Sequence, residues 1–196
     1  KPITPYYFSS LKDEEIAKNA CSDMKRENFV LVVGQYFDYK GMDVAYQTAC
    51  MDKSIRYKFV GMGKRTELFL QEMGDMPDNI EVIPFLQKKE LEEEYRKCAM
   101  LLLPTRQECW GLVVNEAASF GTPMASTWGS GAAVEYIGDT YPQYLAQQGD
   151  ADSLLSCIHR CMEDDGADYS DYLKNISKKY SIERSVEAHI RAFNSI

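Results

Sequence analysis

Residues 98–128 read CAMLLLPTRQECWGLVVNEAASFGTPMASTW. The run "AMLLLP" has the length and composition of a strand buried on both faces. A polar turn follows, then "GLVVNEAASFG" with apolar residues at helical spacing, then a second short apolar run, "PMASTW". Strand, helix and strand in close succession form the unit of a parallel sheet. The same alternation extends outward toward the N-terminus. "FVLVVG" is a strand, "MDVAYQTACM" a helix, "IRYKFVG" a strand, 64–73 a helix, "NIEVIPF" a strand and "KKELEEEYRKC" a strongly charged helix. Toward the C-terminus a weak strand is expected at "TYPQYLA", followed by helices in "DADSLLSCIHRCMED", "DYSDYLKNISKKY" and "SIERSVEAHIRAFNSI". The predicted fold class is α/β: a Rossmann-like, doubly wound parallel sheet of about six strands with a helical C-terminus. Ahead of it, Ser10 is expected to cap a helix beginning "LKDEEIAKNA", with Asp13 and Glu14 favouring the helix dipole.

In such a sheet, ligands sit over the carboxyl ends of the strands, and the opening stretch places Glu108 and Glu116 there, eight positions apart. Desolvating a carboxylate costs several kcal/mol unless it is paired. Thr105-Arg-Gln-Glu108 matches a capping box, so Glu108 alone could serve a turn. Glu116 is less easily dismissed. At 100° per residue, Leu112, Glu116, Phe120, Val113 and Ala117 fall in one arc of roughly 140°, which is expected to face the sheet. A carboxylate there can accept hydrogen bonds from a diol, while free backbone N–H groups near Trp110, Gly111 and Leu112 suit a phosphate. Diol, phosphate and Glu108 in sequence describe a nucleoside diphosphate that carries a further hydroxylated group.

Other motifs are consistent with this or fail. Lys40-Gly41 ends the first strand-to-helix loop, where an ammonium can reach a phosphate or simply face solvent. Gly61-Met62-Gly63 follows the second strand, but the third glycine of a dinucleotide fingerprint is Thr66, which disfavours an NAD-dependent dehydrogenase. No Walker A pattern is present. Across 196 residues the formal charge is −8, which argues against nucleic acid as a partner. The longest apolar run, 98–104, is far short of the roughly 20 residues of a membrane span. The six cysteines are expected to be reduced thiols in a cytoplasmic protein. Cys157-Ile-His159-Arg-Cys161 is not read as a zinc site, because on a helix His159 points away from the face that the two cysteines share. The opening "KPITPYYFSS" reads as a linker from a preceding domain, and the chain as a piece of something longer.

Several of these segments together resemble the family 4 retaining glycosyltransferases, which have the GT-B fold. "ECWGLVVNE" resembles the family's E-x7-E segment. "FVLVVGQYFDYKG" resembles its strand and loop ending in Lys-Gly, and "YKFVGMGKRTEL" its second strand and G-x-G turn. "LEEEYRKCAMLLLPTRQECWGLVVNEAASFGTPMAST" follows the family pattern nearly residue by residue, and the likeness runs over residues 29–196. It implies a C-terminal, donor-binding domain (residues 26–196) preceded by an interdomain linker and leading helix (residues 1–25). The acceptor-binding N-terminal domain would belong to the same full-length protein and is absent here. By resemblance, Lys40 would contact the diphosphate, backbone amides of Cys109, Trp110, Gly111 and Leu112 the distal phosphate, Glu108 the donor sugar and Glu116 the ribose. Gly34 and Gln35 would lie along the diphosphate, and Gly61, Gly63 and residues 84–87 would flank the base. Gln35 stands where the family usually has arginine, so one charge-assisted phosphate contact is missing. The implied reaction is retaining transfer from a UDP-, GDP- or ADP-sugar to a hydroxyl, with no cofactor or metal. Membrane contact, if any, would come through the N-terminal domain. A sugar-nucleotide epimerase half and a non-catalytic sugar-nucleotide-binding module are the alternatives.

Overall fold

The computed structural model describes residues 8–21, 25–164 and 167–194; residues 1–7 of the expected linker lie outside them. The expected alternation forms one six-stranded sheet in the order β3-β2-β1-β4-β5-β6, built from Glu27–Val33 (β1), Arg56–Val60 (β2), Ile80–Ile83 (β3), Cys98–Leu103 (β4), Met124–Thr127 (β5) and Leu145–Ala146 (β6). Every neighbouring pair is parallel. At the centre Val30, Leu31 and Val32 of β1 lie beside Met100, Leu101 and Leu102 of β4. All six are fully buried, which is why both strands read as unbroken apolar runs.

The connecting helices are Met42–Met51 (α2), Thr66–Met73 (α3), Lys88–Lys97 (α4), Leu112–Ser119 (α5) and Gly131–Ile137 (α6), with Asp13–Ala20 (α1) leading in. Ala151–Glu163 (α7), Ala167–Ser177 (α8) and Ile182–Phe193 (α9) close the chain. Helices α2 and α7 pack together, as do α1, α4, α5 and α8, so the sheet is covered on both faces. Arg26 clamps the amino end of the sheet. Its guanidinium donates to the carbonyls of Tyr95 (3.3 Å), Arg96 (3.4 Å), Cys98 (3.1 Å), Phe120 (3.4 Å) and Gly121 (2.9 Å).

Four expectations need correction. Helix α1 starts at Asp13 with Lys12, not Ser10, as its N-cap; Ser10 is spent elsewhere, as described below. The "TYPQYLA" strand shrinks to two residues, because a 3-10 turn over Pro142–Tyr144 takes up its first half. Helix α6 was not expected; Ser130 caps it by accepting from the Ala133 N–H. Helix α5 is rolled differently from the predicted arc: its shielded residues are Val114, Asn115, Ala117, Ala118 and Ser119. Ala117 and Ala118 are fully buried, and Leu112 is left 42% exposed. Glu116 therefore sits on the flank of α5 toward α4, not against the sheet.

Candidate functional site

The chain leaves β1 toward β2 on one side, and leaves β4 toward β5 on the other. The crevice between the carboxyl ends of β1 and β4 is thus the topological switch point, where open α/β sheets bind ligands. Two loops meet there. The β1–α2 loop ends in a 3-10 turn, Asp38–Lys40, followed by Gly41 at φ 67°. A Cβ on Gly41 would stand 2.0 Å from the Pro104 carbonyl oxygen, so glycine is what lets this loop touch the exit of β4. The contact is then sewn shut. The Tyr39 carbonyl accepts from the Thr105 hydroxyl (2.7 Å) and from the N–H groups of Arg106 (2.8 Å) and Gln107 (3.2 Å). Arg106 grips Asp43 with both guanidinium nitrogens, at 2.8 and 2.6 Å. Burial pushes the Asp43 carboxyl up, but the Arg106 hydrogen bond and charge outweigh it and hold the carboxyl below the usual range.

Glu108 is fixed from the other side. Its N–H donates to the Gly129 carbonyl at 2.8 Å, and its own carbonyl accepts from the Gly131 N–H at 3.1 Å. The side chain leaves this anchored backbone to form an ion pair with Lys40, and the two side chains are only 18% and 22% exposed. Thr105 spends its hydroxyl on Tyr39, so the capping-box reading of Glu108 does not hold. Lys40 and Glu108 line a groove of ≈ 420 Å³ with Gly34, Cys109, Trp110, Gly111 and Leu112. At one end α5 begins from Gly111, at φ 107°, and its first turn presents backbone N–H groups that have no intrahelical partner. The Trp110 indole is held by its N–H bond to Asn115 Oδ1 at 2.8 Å. Cys109 is exposed.

The other expected residues are arranged around this groove. Gly61 abuts Gly34, since a Cβ on it would lie 3.7 Å from the Gly34 nitrogen. Gly63 donates its N–H to the Pro84 carbonyl at 2.8 Å, so the G-x-G turn and residues 84–87 sit together over β2 and β3. Gln35 is exposed. Glu116 was expected to share the groove and does not. It lines a separate cavity of ≈ 160 Å³ with Leu11, Leu91, Tyr95 and Phe120. Residues 8–11 run between the two spaces: Phe8 lines the groove and Leu11 the cavity. One Glu116 oxygen accepts from the Ser10 hydroxyl at 3.0 Å and the other from the Tyr95 hydroxyl at 2.9 Å. Burial raises the Glu116 carboxyl above its ordinary range, while these two hydrogen bonds and the charge of Lys88 pull it back.

Two contributors were not anticipated. Tyr95 was visible as the one aromatic on the apolar side of a charged helix, four residues after Leu91. Ser10 carried no signal, because its partner is 106 positions away. Cys157 and Cys161 are buried thiols, and His159 pairs with Asp52 at 2.8 Å. Among the described residues no group of three or more His, Cys, Asp or Glu side chains is placed to hold a metal ion. No helix among them is long and apolar enough to cross a membrane.

A model of the family described as "Glycosyl transferases group 1" matches residues 13–183. This chain belongs to the group 1 glycosyl transferases. An uncharacterised glycosyltransferase of Methanocaldococcus jannaschii is 29% identical over 167 residues, which are 81% of this chain and 46% of that protein. One from Haemophilus influenzae is 24% identical over 180 residues, 88% of this chain and 50% of that protein. The chain thus spans about half the length of these relatives. Among solved structures, one of trehalose-6-phosphate synthase superposes with a TM-score of 0.74 at 16% identity, covering 95% of this chain and 50% of that one. The group 1 glycosyl transferase fold explains the Rossmann-like sheet, and the switch-point groove is where such a sheet takes its ligand.

Proposed function

We propose that this chain is the donor-binding, C-terminal part of a two-domain retaining glycosyltransferase, with a nucleoside diphosphate sugar lying along the groove. The observation that carries the proposal is the meeting of Lys40, Glu108 and the start of α5 over the carboxyl ends of β1 and β4. Lys40 neutralises the diphosphate, and the amides at Gly111 and Leu112 hold its distal phosphate. Glu108 accepts hydrogen bonds from the donor sugar's hydroxyls, and the ribose reaches Glu116 when residues 8–11, which run between the groove and its cavity, give way. The base lies against the turns at Gly61, Gly63 and 84–87. An N-terminal domain of the same protein brings the acceptor hydroxyl.

The ion pair gives the two charged groups a defined resting state. Without ligand, Lys40 and Glu108 satisfy each other. An arriving diphosphate is a stronger partner for the ammonium than one carboxylate, so Lys40 turns to it. Glu108 is then free to accept from sugar hydroxyls. As the sugar–phosphate bond breaks, negative charge grows on the departing diphosphate beside Lys40 and the α5 amides, which lowers the barrier.

Calorimetry of the chain against UDP, GDP and ADP, each with and without an attached sugar, tests the proposal. At least one is expected to bind, with no transfer to added acceptors by this chain alone. Binding of NADH in preference to all of them would overturn it.

A further inference from the structure

Residues 8–11 lie at one end of the groove. Phe8 lines it together with Trp110 and Leu112, and Leu11 is buried in the cavity behind. The segment belongs to no helix or strand and is held by hydrogen bonds at three points. The Phe8 carbonyl accepts from Asn115 Nδ2 at 3.2 Å. The Ser10 hydroxyl donates to Glu116 at 3.0 Å, and the Leu11 carbonyl accepts from the Ile182 N–H at 2.9 Å. Asn115 is the link to the groove. It is buried, and its other end, Oδ1, accepts from the Trp110 indole. One amide thus holds both a groove wall and the segment beside it.

These holds are light. Phe8 is 58% exposed, so its place in the groove buries little apolar surface. Hydrogen bonds to neutral groups add little net stability, because water replaces them. Only Leu11, 3% exposed, anchors the segment by burial. Lifting it does not strand Glu116, whose second oxygen keeps the Tyr95 hydroxyl.

We propose that residues 8–11 are a displaceable strap that takes up the Trp110–Leu112 end of the groove in the ligand-free chain and competes there with a nucleoside diphosphate, with Asn115 as its latch. The inference rests on the donor-site reading above and adds a regulatory contact to it. A ligand seated against Trp110 draws the indole from Asn115, the amide turns, and Phe8 loses its donor. Apparent affinity is then lowered by the fraction of chains in which the strap is closed.

Hydrogen exchange read by mass spectrometry, with and without saturating UDP, GDP or ADP, tests this on the chain as it stands. Two amides report on the strap. Leu11 donates its N–H to Ser9 Oγ at 3.2 Å, and Ile182 opens α9, where its N–H has no intrahelical partner and depends on Leu11. A nucleotide that slows exchange in peptides covering 109–113 is expected to speed it in those covering 9–12 and 180–184. Ser10→Ala removes one hold and Phe8→Ala the groove contact. Each is expected to bind that nucleotide about three- to tenfold more tightly in calorimetry. If exchange over 9–12 and 180–184 stays level or slows on binding, or if either variant fails to tighten it, residues 8–11 are a fixed wall of the groove. The strap is then overturned while the donor-site reading stands. If none of the three nucleotides slows exchange over 109–113, the donor-site reading itself falls and the strap with it. Should a variant not fold, as judged by its melting curve, exchange in the parent decides.

Discussion

Glu116 and the pair Lys40–Glu108 show two ways of holding charge at the edge of a core, and each has a measurable consequence. Glu116 is held by neutral donors, and burial raises its carboxyl above the ordinary range. A group whose folded pKa is raised binds its proton more tightly in the native state. Stability is therefore expected to fall as pH rises from the ordinary carboxyl range to the raised one, and to stay level beyond it. Glu116→Gln removes that penalty. At neutral pH without ligand the variant should melt at the same temperature as the parent or higher, yet bind nucleotide about tenfold less tightly, ~1.4 kcal/mol. A variant that is clearly less stable and binds as well as the parent would make Glu116 structural. Lys40 behaves in the opposite way. Lys40→Ala strands a Glu108 side chain that is only 18% exposed, and should destabilise the ligand-free chain by about 1–3 kcal/mol. Adding Glu108→Gln should return most of that loss in urea unfolding. On ligands, Lys40→Ala is expected to weaken nucleoside diphosphates far more than nucleosides; equal effects would leave Lys40 a surface residue.

The loop that carries Lys40 depends on Gly41. A methyl group there would meet the Pro104 carbonyl oxygen at 2.0 Å and force a β-carbon into left-handed backbone. Gly41→Ala is expected to cost about 2–4 kcal/mol in urea unfolding, with diphosphate binding lost in the variant that still folds. A change of a few tenths would mean that the two loops part freely. At this scale the strands were the most legible elements, because β1 and β4 lie between two helical layers and need apolar side chains on both faces. Short pieces were hidden. Helix α6 has only seven residues and opens on Gly129-Ser130-Gly131, which reads as a turn. The roll of α5 was hidden for a different reason. Periodicity tells which side chains share a side, but α5 has two apolar arcs, and nothing local says that the one with Val114, Ala117 and Ala118 is the buried one. Lys40 and Glu108 could be placed over the sheet from sequence because each lies in the loop that leaves a central strand. Their ion pair could not, since it depends on strand order.

Across the whole molecule, Arg26 ties the end of α4, the start of β4 and the end of α5 to the entry of β1 through five carbonyls. Arg26→Met would leave those acceptors without their donor and is expected to lower stability by about 2–4 kcal/mol. Arg26→Lys should restore little, because an ammonium cannot reproduce the planar fork. Full rescue by lysine would show that charge alone matters. At the other end of the sheet, Cys109 is exposed at the mouth of the groove, and Cys98, Cys157 and Cys161 are buried. The protein therefore has a natural chemical footprint. Alkylation by iodoacetamide, followed by peptide mass spectrometry, should mark Cys109 quickly and Cys21, which is also exposed, as an internal standard. A saturating nucleoside diphosphate is expected to slow labelling at Cys109 alone, turning one thiol into a clock for occupancy. Unchanged labelling at both positions would place the bound nucleotide away from the start of α5.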